Sequence, residues 1–127
     1  MRKILLLFFI VSSYYCSHAQ ENRAIDSMLL VLKTAKEDTN KVMLLLNIGE
    51  QYERFAPETS KQYYWKSLQL SREIKYKPGE IKFASYYTAV LNMQGSFDSS
   101  LLLNKKALEL ANQMKDELAI AKASFNT

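Results

Sequence analysis

The 127-residue chain is 48% hydrophobic, 24% charged and 12% aromatic, with only 3 Gly and 2 Pro. It is too apolar for a disordered chain and too poor in turn formers for an all-β sandwich. Its formal charge is +4, with two of the basic groups at Arg2 and Lys3, and so weak a field excludes an electrostatic footprint for nucleic acid.

Met1-Arg2-Lys3 is a short basic start, and residues 4–11 (ILLLFFIV) are an unbroken apolar run. Ser17 and Ala19 supply the small-x-small pattern of a signal-peptidase site. Together they predict a signal peptide over residues 1–19, cleaved before Gln20, and an exported chain in the periplasm or outside the cell. The run is far short of the roughly 20 residues that span a bilayer, so the mature chain is expected to have no membrane span. Tyr14 and Tyr15 precede Cys16 where a lipidated cysteine wants small neighbours, so plain cleavage is expected rather than a lipid anchor. The removed segment takes with it Cys16 and His18, the only Cys and the only His. No disulfide, thiol nucleophile, imidazole base or Cys/His zinc site can be built from the remainder alone.

From residue 22 onward the apolar spacing is helical. Ile25, Met28, Leu29 and Leu32 lie on one face of a first helix. Asp38-Thr39-Asn40 is a break with an N-cap, and Val42, Leu45, Leu46, Ile48, Gly49 and Tyr52 carry a second helix. Pro57 suits the first turn of a third, whose face is Tyr64, Ser67, Leu68, Ser71 and Ile74. Pro78-Gly79 is the next break, and Ile81, Ala84, Tyr87, Thr88 and Leu91 mark a fourth helix. Gly95 fits a helix C′ position and Ser96 an N-cap. Phe97, Leu101, Asn104, Ala107, Leu108 and Ala111 mark the face of a fifth helix, and a sixth is predicted from near Asp116 to Thr127. No stretch alternates with period two, so the predicted class is all-α.

The helices repeat. At an offset of 40, Leu68 falls on Leu108, Ser60 on Ser100, Lys66 on Lys106, Leu70 on Leu110 and Lys75 on Lys115. At 39, Leu45 falls on Ala84 and Ile48 on Tyr87. The predicted organisation is a half repeat over 22–38, full repeats over 39–77 and 78–116, and a truncated repeat over 117–127. Helix pairs at a fixed period form a solenoid, each unit burying its face against its neighbours. Gly49 sits inside a helix at a cost of about 1 kcal/mol against Ala. That cost makes sense where another element approaches closely.

These residues resemble the tetratricopeptide repeat family in a long-period variant. Leu45-x-x-Ile48-Gly49-x-x-Tyr52 follows the family's W-x2-L-G-x2-Y pattern, with Leu in place of Trp. Gly95-x-Phe97-x-x-Ser100 and Ala107-Leu108-Glu109-Leu110 follow its turn and second helix. Thr88, Leu91 and Asn104 depart from the pattern. The resemblance covers residues 23–127 and implies antiparallel helix pairs winding into a right-handed superhelix, about six helices after the signal peptide. In such proteins the first helix of each pair lines a concave groove that binds peptides or partner proteins.

No catalytic signature accompanies this pattern. There is no phosphate loop, no G-x-S-x-G, no S-x-x-K and no H-E-x-x-H. No enzyme activity, cofactor or metal is expected of this chain. Glu50 and Glu53 are read as surface carboxylates. Of the run Tyr63-Tyr64-Trp65, helical spacing sends only one or two into a core, leaving a partly exposed aromatic ring. The groove implied by the resemblance would be lined by Met43, Leu46, Asn47, Glu50 and Arg54 on one helix. Lys82, Ser85, Tyr86, Ala89, Asn92 and Met93 would line it on the other. Of these, Asn47, Glu50, Arg54, Lys82, Tyr86, Asn92 and Met93 are the predicted contacts to a polypeptide partner. The rival reading places the chain at the start of a sensor histidine kinase or transcriptional regulator, since such proteins begin with a signal peptide and a long-period array. At offset 40 Thr127 aligns with Tyr87, midway through a first helix, so the chain is expected to be part of a longer protein. Its open C-terminal edge is expected to self-associate or fray.

Overall fold

The computed structural model describes the backbone of residues 23–125 and the side chains of residues 23–117, and every described regular element is an α-helix. The predicted signal peptide, its cleavage site, Cys16 and His18 lie outside the described residues. The described residues divide into two units, the first ending at Thr34 and the second beginning at Ala35. The first contributes α1, residues 23–32, with Ile25 buried and Met28, Leu29 and Leu32 half-buried.

The second unit holds α2 (Thr39–Tyr52), α3 (Pro57–Glu73), α4 (Lys77–Met93) and α5 (Phe97–Phe125). The start of α2 follows from Asp38, whose carboxylate accepts the Asn40 N–H at 2.9 Å and the Lys41 N–H at 3.1 Å. Two of the donors that a helix start leaves without partners are satisfied there. Pro57 opens α3 at a position where its missing N–H costs nothing. Pro78 and Gly79, read from the sequence as a break, lie inside the first turn of α4, which begins at Lys77. The same tolerance of proline in a first turn explains the difference.

Two helix ends share one device. The Ser96 N–H donates to the Leu91 C=O at 2.8 Å and the Gly95 N–H to the Asn92 C=O at 3.0 Å, with Gly95 at φ 73°. Likewise the Tyr76 N–H donates to the Ser71 C=O at 2.7 Å and the Lys75 N–H to the Arg72 C=O at 3.1 Å. These are Schellman closures, which need a left-handed residue after the helix. Glycine fills that place in one, whereas Lys75 holds φ 56° in the other. Lys75→Gly is therefore expected to stabilise the chain by about 1 kcal/mol, the Cβ penalty at positive φ outweighing the extra chain entropy of glycine. A thermal or urea midpoint that falls in this variant contradicts the assignment.

Short connections make neighbouring helices antiparallel. Gln94 at the end of α4 reaches Glu58 at the start of α3 at 3.4 Å. Lys77 at the start of α4 pairs with Glu117, far along α5. α2 packs on α3, α3 on α4 and α4 on α5, while α2 also touches α4. α3 and α5 each pack on α4 but not on one another. The core is built from Val42, Leu45, Leu46, Ile48, Tyr64, Leu68, Leu70, Phe83, Ala84 and Val90.

Two sequence expectations about the last helix are corrected. The described residues hold five helices rather than six, because α5 runs unbroken for 29 residues through Asp116. Residues 97–125 contain neither Gly nor Pro, so nothing stops the helix where the repeat register called for a turn. The packed face of α5 also matches the predicted one only in part: Ala107 and Ala111 are half-buried as expected, whereas Asn104 is exposed. Ser100 is buried, and Leu103, Ala107, Leu110 and Met114 are half-buried at the same helical spacing. Phe97, Leu101 and Leu108, read from the sequence as the core face, are 66%, 71% and 62% exposed. α5 carries two apolar stripes, and α4 covers one of them.

Candidate functional site

The predicted groove residues fall on two helices that touch, α2 and α4, except Arg54, which the sequence placed on the helix and which lies in the turn after it. Because α3 runs antiparallel to both, α2 and α4 point the same way. Asn47 and Glu50 share a face of α2 at i and i+3, Arg54 follows in the turn beyond the helix end, and all three are exposed. On α4, Lys82, Asn92 and Met93 are exposed and Tyr86 is half-buried, with Lys82, Tyr86 and Met93 on one stripe. Met43 and Ala89 are half-buried, and Ser85 is exposed. Leu46, read from the sequence as outward-facing, is fully buried. α2 packs on both α3 and α4, so its buried arc is wider than a single stripe.

The centre of this face rests on Tyr64. Its ring is fully buried and lies over Gly49 of α2, and its hydroxyl donates to the Glu53 carboxylate. The Tyr86 ring stands on the other side, with centroids 5.7 Å apart and planes tilted by 58°. Tyr64 thus joins α2, α3 and α4, and it positions Tyr86 beside the Glu50 and Glu53 carboxylates. Burial pushes the Tyr64 phenol well above its ordinary range, and the hydrogen bond to Glu53 adds to the shift. Burial also raises the Tyr86 phenol, with the two carboxylates contributing.

A tyrosine whose folded pKa is raised binds its proton more tightly in the folded state. The stability it contributes is complete below the unfolded value near pH 10 and is lost as pH rises beyond it. The urea midpoint is therefore expected to hold from pH 7 to 9 and to fall above about pH 10. In Tyr64→Phe the alkaline fall should be shallower, at the cost of a midpoint lower near neutrality by roughly one hydrogen bond, about 1 kcal/mol. Parallel pH profiles in the two proteins would remove Tyr64 from this role.

The other aromatic residues divide as their helical spacing requires. Tyr63 is half-buried and stacks on Tyr52 at 5.8 Å with the planes 1° apart. Trp65 is half-exposed and packs on Phe83 at 5.3 Å and on Tyr87 at 5.6 Å, with its indole N–H donating to the Tyr87 hydroxyl at 3.3 Å. The sequence reading missed Glu53 as the partner of Tyr64 and Phe83 as a core residue. The i, i+4 pair Phe83–Tyr87 was the available signal for an aromatic contact on α4.

Among the described residues, no group of three or more His, Cys, Asp or Glu could hold a metal ion. None of the described helices is long and apolar enough to cross a membrane. No family model matches the chain, and neither does any curated protein or solved structure.

Proposed function

We propose that this chain is an exported tetratricopeptide-like helical-repeat module that holds a protein or peptide partner on the α2/α4 face. The observation that carries the reading is the pair of touching, co-directional helices whose outward stripes are polar and amphipathic: Asn47 and Glu50, with Arg54 in the turn that follows them, beside Lys82, Tyr86, Asn92 and Met93. The mixture of amide, aromatic, thioether and both charge signs suits a polypeptide, whose backbone and side chains present all of these complements. The repeat reading is supported by spacing, since α4 begins 38 residues after α2 and α5 begins 40 after α3. In the repeat reading, α2 and α4 are the first helices of successive pairs. Tyr86 supplies a rigid ring for a partner to pack on, and Asn47 and Asn92 supply donors and acceptors for an extended backbone.

Changing Arg54 and Tyr86 together to Ala is expected to lower retention of a partner from source-cell lysate at least tenfold, or about 1.4 kcal/mol. A Lys105→Ala control should retain it. Equal retention by all three proteins refutes the assignment of the face. Export is tested separately by intact mass. The expected product begins at Gln20, and a product that keeps residues 1–19 or carries a lipid on Cys16 contradicts it.

A further inference from the structure

The face opposite the proposed partner surface contains a groove that the partner reading does not use. The backbones of α3 and α5 both lean on α4 but stay apart from one another, and between them lies a cavity of about 270 Å³ with α4 as its floor. Trp65 and Leu68 form one wall, Leu103, Ala107 and Leu110 the other, and Phe83 and Ala84 the base. The walls run over residues 65–72 and 103–110, two helical turns each, so the groove extends about 10 Å along the helix axes.

Charged side chains line it as well. Arg72 and Lys106 both line the groove, against one carboxylate, Glu80. Arg72 meets Glu80 through a single nitrogen, Nε at 3.2 Å, rather than as a two-pronged pair. Among the described residues, no carboxylate oxygen lies within 4.0 Å of the Lys106 ammonium. The groove therefore joins an apolar body to one net positive charge.

Size decides the kind of occupant. A helix is about 10–12 Å across with its side chains, too wide to enter a cavity just below the usual ligand range of roughly 300–1,000 Å³. The aliphatic walls and extended shape match a narrow apolar chain, and one surplus positive charge matches a singly charged head. We propose that the α3/α4/α5 groove binds a small amphiphile, an unbranched apolar chain ending in a carboxylate, with the chain along Leu68, Leu103 and Leu110 and the carboxylate on Lys106. Trp65 forms the wall beside the chain, its indole N–H already engaged by Tyr87.

Trp65 is the only tryptophan in the chain, so the groove carries its own reporter. Titration of the purified protein with decanoate, below the concentration at which it aggregates, is expected to give a saturable change in Trp65 emission. Decanol and decyltrimethylammonium test the head group, and each should bind at least tenfold more weakly. Lys106→Glu should weaken decanoate at least tenfold, whereas Lys105→Glu, one residue away and outside the groove, should match the parent protein. If circular dichroism shows that Lys106→Glu has lost its helix, Lys106→Gln takes its place, with a loss of at least threefold. The proposal is overturned by no saturable response to decanoate, by decanol binding as tightly as decanoate, or by equal losses in the Lys105 and Lys106 variants.

Discussion

Gly49→Ala is expected to destabilise the chain by about 1–3 kcal/mol, although alanine is the better helix former. A Cβ at this position would lie 2.6 Å from the Tyr64 Cδ1 atom and closer still to Cε1, well inside van der Waals contact. Helix propensity favours the substitution by about 1 kcal/mol. Forcing one extra carbon into a packed core costs typically 1–3 kcal/mol, more where the neighbours cannot yield. Here they cannot. The Tyr64 ring is fully buried, its hydroxyl is held by Glu53, and its far side meets Tyr86. Overlap therefore outweighs propensity, and Gly49→Val, bulkier and stiffer in a helix, should cost more again. A urea midpoint that rises in Gly49→Ala would show that the ring moves aside freely. The double variant Gly49→Ala/Tyr64→Leu should be less destabilised than the two single effects added, because the smaller side chain relieves the overlap.

Gly49 also marks what could be read in the sequence. A glycine amid Leu45, Leu46, Ile48 and Tyr52 violates local helix preference, and that conflict pointed to a close approach by another element. Asp38, Pro57 and Gly95 were legible for the same reason, since each residue's chemistry permits few backbone roles. Exposed positions of the proposed partner face were recovered by helical spacing from a buried stripe. Spacing failed at Leu46, because two neighbouring helices widen the buried arc of α2 beyond the single face that a periodicity argument assumes.

The end of the chain was misread for two different reasons. The repeat register carried the turn at Lys75 forward to Lys115, yet the Pro78-Gly79 that follows the first turn has no counterpart after the second. Local propensity then wins and α5 continues. On α5 itself, Phe97, Leu101 and Leu108 form one apolar stripe, and Leu103, Ala107 and Leu110 form another. Periodicity finds both but cannot say which one α4 meets. The α3/α4/α5 groove lay beyond the reach of the sequence for a related reason. It exists because the backbones of α3 and α5 stand apart, and no residue pattern announces such a gap.

The repeat register supplies a direct test of that choice of stripe. Leu68 and Leu108 fall on each other at an offset of 40, and the sequence treats them as equivalent core residues. Their surroundings differ, since Leu68 is 4% exposed between α3 and α4 whereas Leu108 is 62% exposed on α5. Leu68→Ala should cost about 2–4 kcal/mol, the lost transfer energy plus the cavity left beside Phe83 and Ala84. Leu108→Ala should change stability by less than about 0.5 kcal/mol, because its side chain is already largely in water and alanine is the better helix former. Chemical denaturation of the two variants side by side, at equal and low protein concentration, separates the cases. If Leu108→Ala loses as much as Leu68→Ala, then some surface covers the Phe97–Leu101–Leu108 stripe in solution. Repeating the measurement at tenfold higher and lower concentration would then identify it. A loss that grows with concentration means that a second copy supplies the cover over that stripe, and a constant loss means that the chain covers the stripe itself.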